Sequence, residues 1–262
     1  HTARRLHATV IGVATVWFVF GWLLRRRGLL AASVAGGLLA FSPTMLAHAA
    51  IAGADLCFVL LTVIALAALD GMTRFRTTGR IAVAGVACGF AFSAKYSAAF
   101  LFPLAGLLLA LPIGVVASRG WRQRGRDLLG CCGNWSFLMV TALVTSWALH
   151  GFDLVLAAEV DGFRGGHVPT WLTTIASWRL PAPLAGVLCQ YLHNQAGHRA
   201  FLLGQVSVSG WWYYFPCVFV FKSTPSELLL GGVMVLGGLT TCWRGLSEWN
   251  RGAAVASLFW RD

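Results

Sequence analysis

"GVACGFAFSAKYSAAFLFP", residues 85–103, contains two apolar runs that meet at a single lysine, Lys95. Gly85 and Gly89 in the first run have the GxxxG spacing that lets two membrane helices pack closely. An apolar run of about 20 residues is long enough to cross a hydrocarbon core about 30 Å thick. Runs of this kind recur along the chain of 262 residues. The stretch therefore predicts a polytopic α-helical membrane protein.

The overall composition favours the same class of protein. Hydrophobic residues make up 58% of the chain and charged residues only 11%, whereas a soluble domain carries about 25% charged residues. A transmembrane barrel needs short alternating strands, and the apolar runs here are continuous. We therefore predict an all-α fold, a transmembrane helical bundle with one extended outer-face segment.

The apolar runs divide the chain into three regions. Residues 1–149 are predicted to cross the membrane six times, and residues 150–211 to form the outer-face segment. Residues 212–262 are predicted to hold a re-entrant or interfacial piece, broken at Pro216 and Pro225, and one further helix. The predicted spans are residues 8–24, 29–41, 56–69, 81–94, 97–116, 128–149 and 228–242.

The basic residues predict how the chain is oriented. Twelve of the 20 lysines and arginines fall in four short loops, at residues 25–27, 74–80, 118–127 and 243–251. Short cytoplasmic loops are rich in Lys and Arg, so these loops are assigned to the cytoplasm. This pattern accounts for the net charge of +11 without a nucleic-acid partner. We predict an integral protein of a bacterial inner or plasma membrane, with its active face outward.

This orientation places the few other charged side chains on the outer face. Asp55 is expected at a helix start, where a carboxylate either caps the helix or marks a functional site. Lys95 either extends to the membrane interface or binds a lipid phosphate. Lys222 lies between Pro216 and Pro225, and the same two interpretations apply to it. Trp211, Trp212, Tyr213 and Tyr214 form either an interfacial aromatic belt or a surface for sugars and prenyl chains.

Metal chemistry is not expected from the sequence. The seven cysteines include no CxxC pair and are interpreted as buried thiols. His48, His193 and His198 lack metal-ligand spacing. We therefore predict no metal site among these residues and no bound cofactor, and the sequence leaves open whether a divalent metal is needed.

Three blocks of the sequence resemble one enzyme family. They are residues 3–55, with Asp55 following "SP…AH"; residues 85–103, around Lys95; and residues 196–225, "AGHRAFLLGQVSVSGWWYYFPCVFVFKSTP". In this order they resemble the polyprenyl-phosphate-sugar-dependent membrane glycosyltransferases of the GT-C superfamily. That group includes the dolichyl-phosphate-mannose protein mannosyltransferases and the bacterial aminoarabinose transferases.

The resemblance implies a function and roles for the residues. A hydroxyl of an acceptor protein, lipid or glycan would attack the anomeric carbon of a sugar carried on polyprenyl phosphate, with inversion. Asp55 would be the catalytic carboxylate, either as the base or as a group that orients the acceptor or a metal. Lys95 and Lys222 would bind the donor phosphate. Membrane lipids would surround the site. The cavity for donor and acceptor would include His48, Tyr96, His198, Trp211, Trp212, Tyr213 and Tyr214.

Two alternatives remain open at this point. The main acidic residue of that family lies in a first outer loop after a first helix, and the given chain starts beyond both. We therefore expect a fragment, or a non-catalytic membrane subunit. A transporter or lipid flippase is the other alternative, because a lysine beside broken helices also suits substrate binding.

Overall fold

The computed structural model describes residues 2–51, 53–115, 121–161, 163, 170–195, 199–208, 210–238 and 240. The fold is mostly helical, and the strands are short. The helices are α1 Thr2–Arg27, α2 Leu29–Ala40, α3 Pro43–Ala50, α4 Asp55–Arg74, α5 Thr78–Ala94, α6 Leu101–Val115, α7 Trp121–Leu149, α8 Thr170–Thr173, α9 Ala182–Gln195, α10 Tyr214–Lys222 and α11 Pro225–Gly238, with a 3-10 helix at Tyr96–Phe100. The strands are β1 Leu154–Leu156, β2 Arg179–Pro181, β3 Ala200–Leu202 and β4 Gln205–Ser207.

Three helical segments of the described chain are long and apolar enough to cross a membrane: Leu6–Arg27, Asp55–Arg74 and Gly125–Leu149. The pair α2 and α3 would count as a fourth, although it bends by 52° at Ser42. Each of the six runs predicted within residues 1–149 is helical. However, α5 has 17 residues and is about 25 Å long, shorter than the hydrocarbon core. The structure is thus compatible with embedding in a membrane, and six full crossings remain a prediction.

The two ends of the helical bundle differ in charge. Arg26 Nη2 lies 3.2 Å from Asp70 Oδ2, which joins the carboxyl ends of α1 and α4. Arg76 donates to the carbonyl of Leu109 over 2.9 Å, so the end of α6 lies there too. We call this the basic end, because it contains Arg25, Arg26, Arg27, Arg74, Arg76 and Arg80. The opposite end, where α4 begins and α5 finishes, is called the Asp55 end.

Close packing of α5 on α7 forms the centre of the bundle. A Cβ added to Gly85 would lie 2.8 Å from the carbonyl oxygen of Leu138, and one added to Gly89 would lie 2.5 Å from that of Ala142. Side chains of α4, α5, α6 and α7 form the main hydrophobic core around this contact. The prediction that the GxxxG pair is a helix-packing face is confirmed.

One local prediction was wrong. The predicted loop at 118–127 is helical from Trp121 onward, since α7 begins there.

Residues 150–211, predicted as an outer-face loop segment, contain two short strand pairs in their described part. β1 pairs antiparallel with β2, and β3 with β4. Ala157, Leu172 and Leu188 belong to a second small core in this region. We call this region the outer segment after its predicted face, and its described residues pack around that core beyond the end of α7.

The two prolines expected to break the backbone stand at helix starts. Pro216 lies in the first turn of α10, where the missing N–H costs no helical hydrogen bond. Pro225 begins α11. Thr224 precedes it, and its hydroxyl accepts from the Glu227 N–H over 3.2 Å while Glu227 Oε2 accepts from the Thr224 N–H over 2.7 Å. The sequence "TPSE" has the spacing of this capping box.

Candidate functional site

Asp55 and Lys95 meet at the Asp55 end. Asp55 is the first residue of α4, and Lys95 follows the last residue of α5 with its N–H still bonded to the Ala91 carbonyl. Only residues 75–77 separate α4 from α5, so the two helices run antiparallel and the start of one lies beside the end of the other. Lys95 Nζ donates to Asp55 Oδ1 over 2.8 Å.

Two more side chains complete this group. His48, in the last turn of α3, places Nδ1 3.5 Å from Asp55 Oδ2. The Lys95 ammonium also lies 5.8 Å from the centre of the Phe58 ring, within cation–π range. Sequence reasoning missed Phe58, although it follows Asp55 by three residues and so lies on the same helix face. His48, Asp55, Phe58 and Lys95 are called the Asp55 cluster below.

The Asp55 cluster is open to the surroundings. The side chains of His48, Asp55 and Lys95 are 41%, 45% and 52% exposed. An ion pair at this exposure contributes about 0–1 kcal/mol to folding, so it is a weak explanation for stability. The group offers a carboxylate, an ammonium and an imidazole within reach of a ligand. It is chemically able to accept a proton and to hold an anion.

Tyr96, the neighbour of Lys95, packs against the outer segment. Its ring packs edge-on against Phe92, with centroids 5.3 Å apart. Its hydroxyl occupies the space that a Cβ on Gly186 of α9 would need. Burial and, to a lesser extent, nearby Cys189 raise the pKa of the Tyr96 hydroxyl. Tyr96 therefore joins the Asp55 end of α5 to α9.

Replacing Gly186 with alanine should detach α9 from the Tyr96 ring. The new methyl group would overlap the phenol, and α9 must shift because the ring is held by Phe92. Faster proteolysis within residues 150–195, in membranes carrying the variant, is the expected result. Gly151→Ala is not a suitable control because Gly151 has φ +67°. The control is Ala176→Gly, a change in the same segment, which should be cleaved at a rate close to that of the unaltered protein. If Gly186→Ala is also cleaved at that rate, Tyr96 does not hold α9 in place.

The aromatic block and Lys222 lie apart from these contacts. Trp211, Trp212 and Tyr213 precede α10, and Tyr214 begins it. Trp212 is 90% exposed and contacts the Tyr213 ring edge-on. Lys222 is exposed in the last turn of α10, and within the described ranges it has no ion pair. The structure shows no contact of either with the Asp55 cluster, so their roles stay predictions. His198 lies outside the described residues.

An apolar groove runs beside the Asp55 cluster. Its volume is about 230 Å³, and it lies between α1 and the bend that joins α2 to α3. Ala49, the neighbour of His48, is at one end, and the Thr9 hydroxyl donates to its carbonyl over 3.3 Å. The other lining residues include Gly12, Val13, Leu39 and Met45. The groove is therefore mostly apolar, and its lining includes the residue that follows His48 in α3.

The chain matches no protein-family model, no curated protein and no solved structure. The resemblance to the GT-C glycosyltransferases therefore rests on the sequence blocks alone. The geometry adds one fact that bears on function. Asp55 and Lys95, which are 40 residues apart, share one half-exposed site.

Proposed function

We propose that the protein is an integral-membrane glycosyltransferase that moves a sugar from polyprenyl phosphate to an acceptor hydroxyl at the Asp55 end. The observation that carries the proposal is the ion pair between Lys95 Nζ and Asp55 Oδ1 at 2.8 Å. Transfer of a sugar from a phosphate needs a base for the incoming hydroxyl and a cation for the departing phosphate. The pair supplies one of each.

The reaction assigns a separate task to each charged group. The Asp55 carboxylate takes the proton of the acceptor hydroxyl as its oxygen bonds to the anomeric carbon. The bond from that carbon to the phosphate oxygen breaks, and the lipid phosphate leaves with the electron pair. The Lys95 ammonium stabilises the negative charge on that phosphate. Since Lys95 is half-exposed on a flexible stem, it can turn from Asp55 to a phosphate without moving α5.

The apolar groove supports a lipid donor. It is lined mostly by hydrocarbon and ends at Ala49, next to His48 of the Asp55 cluster. An isoprenoid chain laid in it would bring its phosphate toward Lys95. The distribution of arginines supports the orientation, because the basic end would face the cytoplasm under the positive-inside rule. The Asp55 end would then face outward.

One observation favours a second function, a transporter or lipid flippase. The 52° bend between α2 and α3 forms a broken span beside the apolar groove, and broken helices often bind transported substrates. Against this, the Asp55 cluster lies at one end of the bundle, whereas transporter sites lie near the membrane midplane. We therefore rank transfer above transport.

A labelled donor distinguishes these functions. Membranes carrying the full-length gene product receive polyprenyl phosphate bearing a radiolabelled sugar, and label is followed in acceptor glycosides and across the bilayer. We expect label in a new glycosidic bond. Movement of intact donor across the bilayer without bond formation would instead identify a transporter. Label that neither moves nor transfers would indicate a non-catalytic subunit.

Lys95→Ala should lower the rate of transfer by about 10²–10³-fold, as removal of one stabilising charge from a transition state does. Arg179→Ala is the matched control, because Arg179 is an exposed cation on β2 of the outer segment. It should transfer at the rate of the unaltered protein. Equal transfer rates for Lys95→Ala and Arg179→Ala would show that Lys95 has no role in the transfer reaction.

A further inference from the structure

A second groove lies on α1 toward the basic end, and it meets the apolar groove at Trp17, which lines both. It encloses about 500 Å³ and is lined by Trp17, Phe18, Gly21, Trp22, Arg25 and Arg26. These residues follow helical spacing, so they share one face of α1. Gly21 provides the opening, since a Cβ built there meets no atom within 4 Å.

The groove joins an apolar wall to two cations. Trp17 is 71% exposed, and its ring forms the apolar end of the groove with Phe18. Arg26 is held at the other end by Asp70, which it approaches to 3.2 Å. Asp70 is also 3.2 Å from Arg74, so its single charge is shared between two arginines. Arg25 is exposed, and no carboxylate pairs with it in the part of the chain that the structure describes. The site is thus left with an excess of positive charge.

The length of the groove matches part of a lipid. Trp17 and Arg26 are nine residues apart, which is roughly 14 Å along the helix. If the arginines lie at the membrane surface, the aromatic end of the groove lies in the part of the hydrocarbon layer next to the lipid headgroups. A molecule that fills both ends needs an anionic head and apolar chains.

We propose that this face of α1 binds an anionic glycerophospholipid of the cytoplasmic leaflet. The lipid phosphate would contact Arg25 and Arg26, and its acyl chains would lie over Gly21 between the aromatic rings. A free phosphate ion would leave the aromatic wall unused. A second copy of the chain would bring its own arginines against these, which like-charge repulsion opposes. Basic pockets at helix ends commonly hold anionic headgroups in this way.

Native mass spectrometry of the detergent-purified protein tests the proposal, with phosphatidylglycerol and phosphatidylcholine added separately. We expect phosphatidylglycerol to bind at least about tenfold more tightly, because two arginines contact its charged head. Arg25→Gln should weaken phosphatidylglycerol binding about fivefold, the value of one surface cation. Arg27→Gln, an arginine that does not line the groove, should leave the affinity within twofold of the unaltered protein.

Gly21→Leu tests the groove itself without a change of charge. The leucine side chain would occupy the opening, and it favours the helix more than glycine does. Phosphatidylglycerol binding should fall at least about tenfold, while Gly37→Leu, at an equally open glycine in α2, should not alter it. Equal binding of the two lipids, or full binding by Gly21→Leu, would overturn the proposal. Gly21 and Arg25 neither line the apolar groove nor belong to the Asp55 cluster, so failure of this proposal would leave the proposed function standing.

Discussion

Asp55→Asn should lower the rate of sugar transfer by about 10²–10⁴-fold, the usual contribution of a general base. Asparagine has the shape of aspartate and still offers Oδ1 to the Lys95 ammonium, but it cannot take the proton of the acceptor. The measurement is the transfer rate from labelled polyprenyl phosphate at saturating donor. Asp153→Asn is the matched control at the same end, where the carboxylate accepts from the Leu154 N–H. We expect it to transfer normally.

Exchanging the two charges separates a chemical role for the pair from a structural one. The double variant Asp55→Lys with Lys95→Asp can still form an ion pair between the start of α4 and the end of α5. If the pair serves only to hold the helices together, the exchange should restore whatever the single variants lose. We expect normal thermal stability in detergent and no recovery of transfer. Recovery of transfer by the exchanged pair would rule out the proposed roles of Asp55 and Lys95.

Gly89→Val should cause the largest loss of stability among single substitutions in the bundle. Even the first carbon of the new side chain would lie 2.5 Å from the Ala142 carbonyl oxygen, which belongs to the backbone of α7 and cannot rotate away. Helices α5 and α7 would have to separate along their main contact. Overpacking of this kind costs about 1–3 kcal/mol or more. A clear fall in the detergent unfolding temperature is the expected observation.

The same helix provides a control for this substitution. Gly79 lies in the first turn of α5, and a Cβ built there meets no atom within 4 Å. Gly79→Ala should therefore leave the unfolding temperature unchanged or raise it, since alanine favours a helix over glycine by about 1 kcal/mol. If Gly89→Val unfolds at the same temperature as Gly79→Ala, the close contact between α5 and α7 does not carry the stability of the bundle.

The helices and the proximity of Asp55 to Lys95 can be predicted from the sequence, because both follow from short-range rules. Apolar runs mark α4 and α5, and a three-residue connection at 75–77 requires the two helices to be neighbours. Asp55 at the start of one and Lys95 at the end of the other must then lie close together. The GxxxG spacing similarly indicated that α5 has a packing face, although it did not indicate which helix packs there.

The parts that the sequence did not predict depend on long-range contacts or unusual backbone. The antiparallel pair of β1 and β2 joins residues at least 23 positions apart. It follows a turn after α7 in which Phe152 adopts a φ of 60°, which few side chains favour. Tyr96 and Gly186 are 90 residues apart, and no local pattern pairs a tyrosine with one particular glycine. His48 lies beside Asp55 in a helix that follows the 52° bend at Ser42, and no local pattern gives the size of that bend.

The bend at Ser42 also couples the apolar groove to the Asp55 cluster. Helix α3, about two helical turns, follows this bend and supplies lining residues to the groove. It is joined to the bundle by the Thr9 hydroxyl on the Ala49 carbonyl and by His48 beside Asp55. An occupant of the groove that shifted α3 would therefore also change the distance between the His48 imidazole and the Asp55 carboxylate.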